Sequence, residues 1–182
     1  MSIFDEISKL KKSGKEPYQW YRNRIKELGT PSQAQLIRDG KITGRVNFGA
    51  LNMFIYDPKL KNKLPYYDTF PLVLPIERYR DGFLGINFHY LPYALRARLL
   101  SRLDPNANYS ALKNVRLVKP TLKRYLNSNV RSRFRKLEEE DFMTAIMLPV
   151  QRFRKSSASK VWSDSRNCLL YTSDAADDDV RV

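Results

Sequence analysis

The side chains best placed to do chemistry are basic ones, and that chemistry is the binding of a polyanion. Lys and Arg crowd the stretch from Lys113 to Lys160, whose only acids lie at 138–141, and Arg78 and Arg80 join a second basic group. Such a surface repels itself unless a polyanion, most often nucleic acid, neutralises it, although an inert solvated face is the alternative. The candidate nucleic-acid-binding residues are Lys119, Lys123, Arg124, Arg131, Arg133, Arg135, Lys136, Arg152, Arg154, Lys155, Arg96, Arg98 and Arg102.

Aromatic residues interleave with these basic ones. Tyr125, Phe134 and Phe153 are the candidates for stacking on exposed bases, for example at a frayed duplex end. The alternative for each ring is a place in the core of its own short element. The sequence contains no zinc finger and no clear helix-turn-helix, so we expect contacts to the nucleic-acid backbone or its ends rather than base readout.

Residues for catalysis are scarce. The single histidine, His89, lies in an aromatic run, which favours a hydrogen-bonded structural role. Residues 1–167 contain no cysteine, which excludes the usual zinc ligand sets and suits a reducing compartment. No Gly-x-x-x-x-Gly-Lys loop is present to cradle nucleotide phosphates. We therefore expect no cofactor and no enzymatic activity.

Carboxylates that could hold catalytic metal ions are also few. Residues 138–141 fall on one predicted helical turn, so their carboxylates splay around the axis and complement the helix dipole instead. Asp57, Asp68, Glu77 and Asp81 come from separate strands and turns and could meet only through folding. We expect no metal site, and a metal-dependent nuclease is kept only as a minor alternative.

Residues 168–182 are interpreted as a translated sequencing adapter rather than as protein sequence. From Cys168 the chain reads Cys-Leu-Leu-Tyr-Thr-Ser-Asp-Ala-Ala-Asp-Asp, which one reading frame of a common transposase adapter encodes. A natural acidic tail is the alternative. The whole chain carries a formal charge of +14, whereas residues 1–167, with 32 Lys and Arg and 15 Asp and Glu, carry +17. We expect one basic domain over 1–167.

The elements that must position these residues follow from hydrophobic periodicity and turn signals. Strands are predicted at Asn52–Tyr56, Phe70–Tyr79 and Gly82–Tyr90, with an Asp81-Gly82 hairpin turn and prolines that make the second strand an edge strand or a bulged one. The other predictions are helices over 3–10, 16–28, 33–38, 93–103, 121–126 and 138–147, a strand over 133–137, and a flexible joint over 156–159. After this joint, Val161 and Trp162 are expected to pack back or to dock on a partner.

These elements predict an α+β fold, with a small curled antiparallel sheet or an SH3-like barrel flanked by N- and C-terminal helices. The loop ending in Asp68 is expected to place that carboxylate against a basic neighbour such as Arg96, and Gly82 and Gly85 suit a close backbone approach. No apolar run reaches the roughly 18 residues of a membrane span, and no secretory signal is recognisable, so we expect an intracellular protein without a membrane partner.

Three segments resemble a known family. Residues 53–59, 64–72 and 82–92, the last followed one helical turn on by Arg96, resemble small virion proteins of T4-like tailed bacteriophages, with the DNA end protector family as the best match. The similarity runs from about residue 16 to Asn167 and includes residues 161–166.

The resemblance implies a non-catalytic minor virion protein on the ends of packaged double-stranded DNA. Such a protein would shield the ends from host exonuclease after injection and would be needed to complete the head. It would occupy the virion, and the host cytoplasm after synthesis or injection. The alternative is a structural component of the neck, baseplate or head-completion machinery, with head, neck or portal proteins as partners and without end-specific DNA binding.

Overall fold

The computed structural model describes residues 41–101, 103 and 109–177. The predicted helices over 3–10, 16–28 and 33–38, as well as Arg102, lie outside the described residues. The strands are β1 Lys41–Thr43, β2 Asn52–Met53, β3 Tyr67–Asp68, β4 Leu72–Arg78, β5 Gly82–Asn87, β6 Leu122–Leu126, β7 Phe134–Lys136 and β8 Phe153–Arg154. The helices are α1 Tyr93–Leu100, α2 Glu139–Met147 and α3 Ala158–Asp177, with 3-10 helices at Phe88–Tyr90, Tyr109–Asn114, Arg116–Thr121 and Asn127–Asn129.

In the described part of the chain, six strands form one antiparallel sheet in the order β1-β7-β2-β4-β5-β6, and β3 and β8 pair separately. The six-stranded sheet does not close into a barrel. The prediction of an α+β fold with an antiparallel sheet is therefore confirmed in its open-sheet form. The C-terminal helices flank the sheet as predicted.

The β4–β5 hairpin is the best-predicted element. Its turn contains Asp81 and Gly82, and the Tyr79 N–H donates to the Gly82 carbonyl at 2.9 Å. The register shifts after Pro75, so β4 is a bulged interior strand rather than an edge strand. A Cβ at Gly82 would overlap the backbone carbonyl of Tyr125 on β6, which explains why glycine is needed at this close approach.

Both faces of the sheet are covered by apolar side chains. Leu72 and Leu74 of β4 belong to a large core cluster that also contains residues of α1 and α2. Val73, which points to the opposite face, belongs to a smaller aromatic cluster with Phe54, Phe83 and other rings. Because both faces are buried, β4 shows a continuous apolar run instead of the alternation of a half-exposed strand.

Two C-terminal predictions are wrong. The segment predicted as a helix over 121–126 is the edge strand β6, which pairs with β5 from Gly82↔Leu126 to Ile86↔Leu122. The predicted joint over 156–159 is where α3 begins, at Ala158. The prediction that Trp162 packs back is confirmed, because its Nε1 donates to the His89 carbonyl at 2.8 Å.

Candidate nucleic-acid interface

Two of the three predicted stacking residues belong to the aromatic cluster. Tyr125 is 3% exposed and Phe134 is 6% exposed, and each packs against Phe54, with ring centroids 5.3 Å and 5.0 Å away. Neither ring presents a face to solvent, so the stacking prediction is wrong for both and the core alternative applies. Phe153 on β8 is half-buried and meets Tyr90 edge-on at 5.2 Å.

Arg96, a predicted phosphate ligand, is fully buried. Its Nε donates to the Leu91 carbonyl at 2.6 Å, Nη1 to the Ile146 carbonyl at 3.0 Å and Nη2 to the His89 carbonyl at 3.3 Å. The ring of Tyr93 covers the guanidinium at 4.6 Å. The prediction for Arg96 is therefore wrong, because this fully buried side chain joins α1 to the end of α2 and is not accessible to DNA.

Asp68 pairs with His89 instead of Arg96. The two side chains are buried, and His89 Nδ1 lies 2.6 Å from Asp68 Oδ2, which also accepts from Asn87 Nδ2 at 3.3 Å. Burial alone would raise the pKa of Asp68, but His89 and the backbone N–H groups of Phe70 and Arg152 outweigh it and leave that pKa lowered. Burial lowers the pKa of His89, against the opposing effect of Asp68. The predicted structural role of His89 is confirmed.

Several predicted basic residues have partners on their own surface. Arg124 pairs with Asp81 at 2.6 Å, Lys136 with Glu138 at 3.5 Å and Arg131 with Asp57 at 3.8 Å. Lys155, which has a left-handed backbone with φ 65, donates to the carbonyls of residues 61, 62 and 64. Its ammonium therefore holds the 57–64 loop.

The remaining predicted basic residues are spread over several elements. Lys123 is half-buried with its ammonium 4.1 Å from the Tyr90 ring centroid, and burial lowers its pKa to about 8. Arg152 lies over the Phe70 ring at 5.0 Å. Arg135 is half-buried in β7, whereas four residues on different elements are exposed: Arg98, Lys119, Arg133 and Arg154. The predicted residues thus come from several separate elements.

A different set of arginines does come together. The β1–β2 connection, the β4–β5 turn, the end of β6 and the segment before β7 enclose an open cleft of ≈ 690 Å³. Arg45, Arg78 and Arg80 line this cleft, with Phe48 and Tyr79 beside them. We call this site the arginine cleft. Arg131 and Arg133 flank Ser132, which is also in its lining.

The arginine cleft has a consistent positive charge. No Asp or Glu lines it, and within residues 41–101, 103 and 109–177 none of the three arginines forms an ion pair. The guanidinium of Arg78 lies 4.7 Å from the ring centroid of Phe48, which is 37% exposed. Planar guanidinium forks suit phosphate oxygens, and an exposed ring suits a base.

The sequence did not predict Arg45 as a binding residue, and it placed Arg78 and Arg80 only in the second basic group. Arg45 is an isolated cation between Gly44 and Val46. The sequence feature that could have indicated this site is the position of Arg78 and Arg80, which flank the Asp81-Gly82 turn. A hairpin turn places its flanking residues at the end of a sheet, where side chains from other connections converge.

Two other features of the described part of the chain bear on partners. No three His, Cys, Asp or Glu side chains of that part come together as a metal site would require. Among the same residues, no helix combines the length and apolar character needed to cross a membrane.

Comparison with known proteins gives one positive result. A family model described as Phage T4 terminal DNA protecting protein matches residues 8–165. No curated protein and no solved structure matches the chain significantly. The family match covers most of the chain, including every element from β1 to β8, and it confirms the resemblance of the 53–92 segments. The chain belongs to the phage T4 terminal DNA protecting protein family.

Proposed function

We propose that this protein binds the ends of double-stranded DNA and shields them from exonuclease by steric occlusion, without catalysing a reaction. The family description supports DNA termini as the target. The net charge of +17 over residues 1–167 supports phosphate binding through counterion release. The protein would act in the virion and, after injection, in the host cytoplasm.

The arginine cleft is the observation that carries this proposal. Its three arginines come from two connections that meet at one end of the sheet, so they can contact successive phosphates of one strand. The Arg78 guanidinium lies over one face of the Phe48 ring, and the part of this ring that remains exposed can contact a terminal base pair. An internal duplex site offers phosphates but no exposed base face, so this combination favours an end.

The other exposed basic residues are secondary contacts in this proposal. Arg131 and Arg133 adjoin the cleft and extend its charge along the duplex. Exposed ion pairs such as Arg124–Asp81 are worth only about 0–1 kcal/mol, so they can open toward a phosphate at little cost. Arg98 and Arg154 lie on α1 and β8 and add long-range attraction.

An exonuclease challenge tests the proposal. Blunt linear duplex is incubated with the full chain and then with an end-dependent exonuclease, with an excess of circular duplex as competitor. We expect protection that circular DNA does not abolish. The double variant Arg78→Glu, Arg80→Glu should weaken protection by about tenfold or more, because two phosphate contacts become repulsive.

The double variant Arg98→Glu, Arg154→Glu is the matched control, since it makes the same two charge reversals at exposed positions on α1 and β8. Equal losses in the cleft variant and in this control would show that DNA contacts are spread over the surface, which would refute the cleft as the site. Protection that circular DNA competes away would favour the structural virion component. Cleavage by the chain in magnesium would overturn the non-catalytic assignment.

A further inference from the structure

A second concavity adjoins the arginine cleft. It measures ≈ 330 Å³ and lies between the 58–67 loop and β6. Four tyrosines line it: Tyr56, Tyr67, Tyr90 and Tyr125. Leu60 and Leu64, which are 56% and 36% exposed, line it on the loop side. We call this cavity the tyrosine pocket. Its wall is largely apolar and aromatic, as in sites that enclose a flat organic ligand.

The charges at the tyrosine pocket are positive. Lys59, Lys123 and Arg124 line it, and among the described residues Asp68 is the one carboxylate in its lining. Both oxygens of Asp68 already accept hydrogen bonds, Oδ1 from two backbone N–H groups and Oδ2 from His89 and Asn87. The pocket therefore combines apolar walls with a net positive charge, carried by Lys59 and Lys123, while Arg124 pairs with Asp81. A nucleotide, which joins a base with apolar faces to an anionic phosphate, has the complementary chemistry.

The two concavities share a wall. Arg124 lines the tyrosine pocket, and its guanidinium lies 4.6 Å from the ring centroid of Tyr79, which lines the arginine cleft. Leu126 lines the pocket and the next residue, Asn127, lines the cleft. A DNA strand whose backbone lies along the cleft can therefore reach the pocket with its terminal nucleotide.

We propose that the tyrosine pocket receives an unpaired terminal nucleotide of the DNA bound in the arginine cleft. The inference rests on the proposed function. The base packs against the half-buried Tyr67 and the loop leucines, and its phosphate lies near Lys123. Burial lowers the pKa of Lys123 to about 8, and an adjacent phosphate favours its charged form. A terminal base costs less to unpair than an internal one, so the pocket discriminates ends.

Binding to three DNA molecules tests this inference. The first is a duplex closed by hairpins at both ends, the second has one unpaired terminal nucleotide, and the third carries an abasic residue at that same position. The last two differ only in the base and keep the phosphate. We expect the full chain to bind the base-containing end about tenfold more tightly than the abasic end, the order of one base-stacking interaction.

Leu64→Glu places a charge at the pocket, and Ile42→Glu makes the same change at a 52% exposed position on β1 outside it. We expect Leu64→Glu to abolish the preference for the base over the abasic residue and Ile42→Glu to keep it. Equal affinity of the unaltered protein for the two ends would overturn the inference while leaving end binding intact. Failure to bind any of the three molecules would instead refute the proposed function.

Discussion

Replacing Asp68 with asparagine tests the buried polar group that joins the sheet to the 57–68 loop. The Asp68 Oδ1 accepts the backbone N–H groups of Phe70 at 3.0 Å and Arg152 at 3.1 Å, and Oδ2 accepts from His89 and Asn87. An asparagine can keep its amide oxygen toward the two backbone donors. Its amide nitrogen then faces two groups that are themselves donors, so both of those hydrogen bonds are lost.

The expected cost follows from these four contacts. A hydrogen bond to a charged group contributes about 1.5–3 kcal/mol, whereas one between neutral groups contributes about 0.5–1.5 kcal/mol. Asp68→Asn loses the bonds to His89 and Asn87 and makes the other two neutral. A shift of the His89 proton to Nε2 recovers part of the loss, since Nε2 has no partner among the described residues. We expect the free energy of unfolding to fall by at least about 3 kcal/mol.

The stability difference between the original protein and Asp68→Asn should also depend on pH. The pKa of Asp68 is lowered in the folded protein, so the unfolded chain binds the proton more readily. The stabilisation by the carboxylate is complete above the unfolded pKa of about 3.9 and is lost as the pH falls through the folded pKa. Asparagine does not titrate, so the difference between the two proteins should narrow below about pH 4.

Urea unfolding followed by tryptophan fluorescence, at pH 7 and at steps down to pH 3, measures both effects. Asp81→Asn is the control, because Asp81 is an exposed carboxylate whose partner is the exposed Arg124. It should change the free energy of unfolding by less than about 1 kcal/mol. A loss of under about 1 kcal/mol for Asp68→Asn at pH 7, or a difference that grows in acid, would refute the reasoning.

Four further predictions follow from single contacts. Arg96→Lys should lower the free energy of unfolding by about 2–4 kcal/mol in urea, because an ammonium cannot reach three carbonyls in the guanidinium geometry. Gly82→Ala should cost about 1–3 kcal/mol in the same assay, whereas Gly44→Ala, with open space around its Cβ, should cost under about 1 kcal/mol. Stability should fall between pH 7 and pH 5, because burial lowers the pKa of His89 and the unfolded chain takes up its proton first. Arg78→Gln should reduce the slope of log K against log salt by about 0.9 in DNA titrations if the guanidinium binds one phosphate.

The fold was predictable where a local signal sufficed. The Asp81-Gly82 turn predicted the β4–β5 hairpin, and Pro92 preceded a helix as expected. Residues 121–126 were not predictable in this way, because Pro120 suggested a helix start and instead lies in a 3-10 helix. The strand that follows is fixed by pairing with β5, whose partners lie more than thirty residues earlier in the chain. A segment of a few residues does not show that its conformation depends on pairing with a distant strand.

The candidate site was less predictable than the fold, because the number of basic residues in a stretch does not show which of them are already held by carboxylates or carbonyls. The most basic stretch contains Lys155, which binds loop carbonyls, and Arg124, Arg131 and Lys136, which lie near acids. The arginine cleft lies where the sequence is less basic, and it gathers residues from positions 45 and 78–80. Only the folded sheet brings these connections together.

The contacts that each basic residue must give up also determine how much it should contribute to DNA affinity. Arg45, Arg78 and Arg80 have no carboxylate to release among the described residues, so each phosphate contact gains its full attraction. Arg124 must exchange Asp81 for a phosphate and gains only the difference between the two. Arg96 must break three buried hydrogen bonds and should contribute nothing directly. A charge-neutralising scan of these five residues should therefore separate into three levels of DNA affinity, and a uniform effect would mean that net charge rather than the cleft binds the DNA.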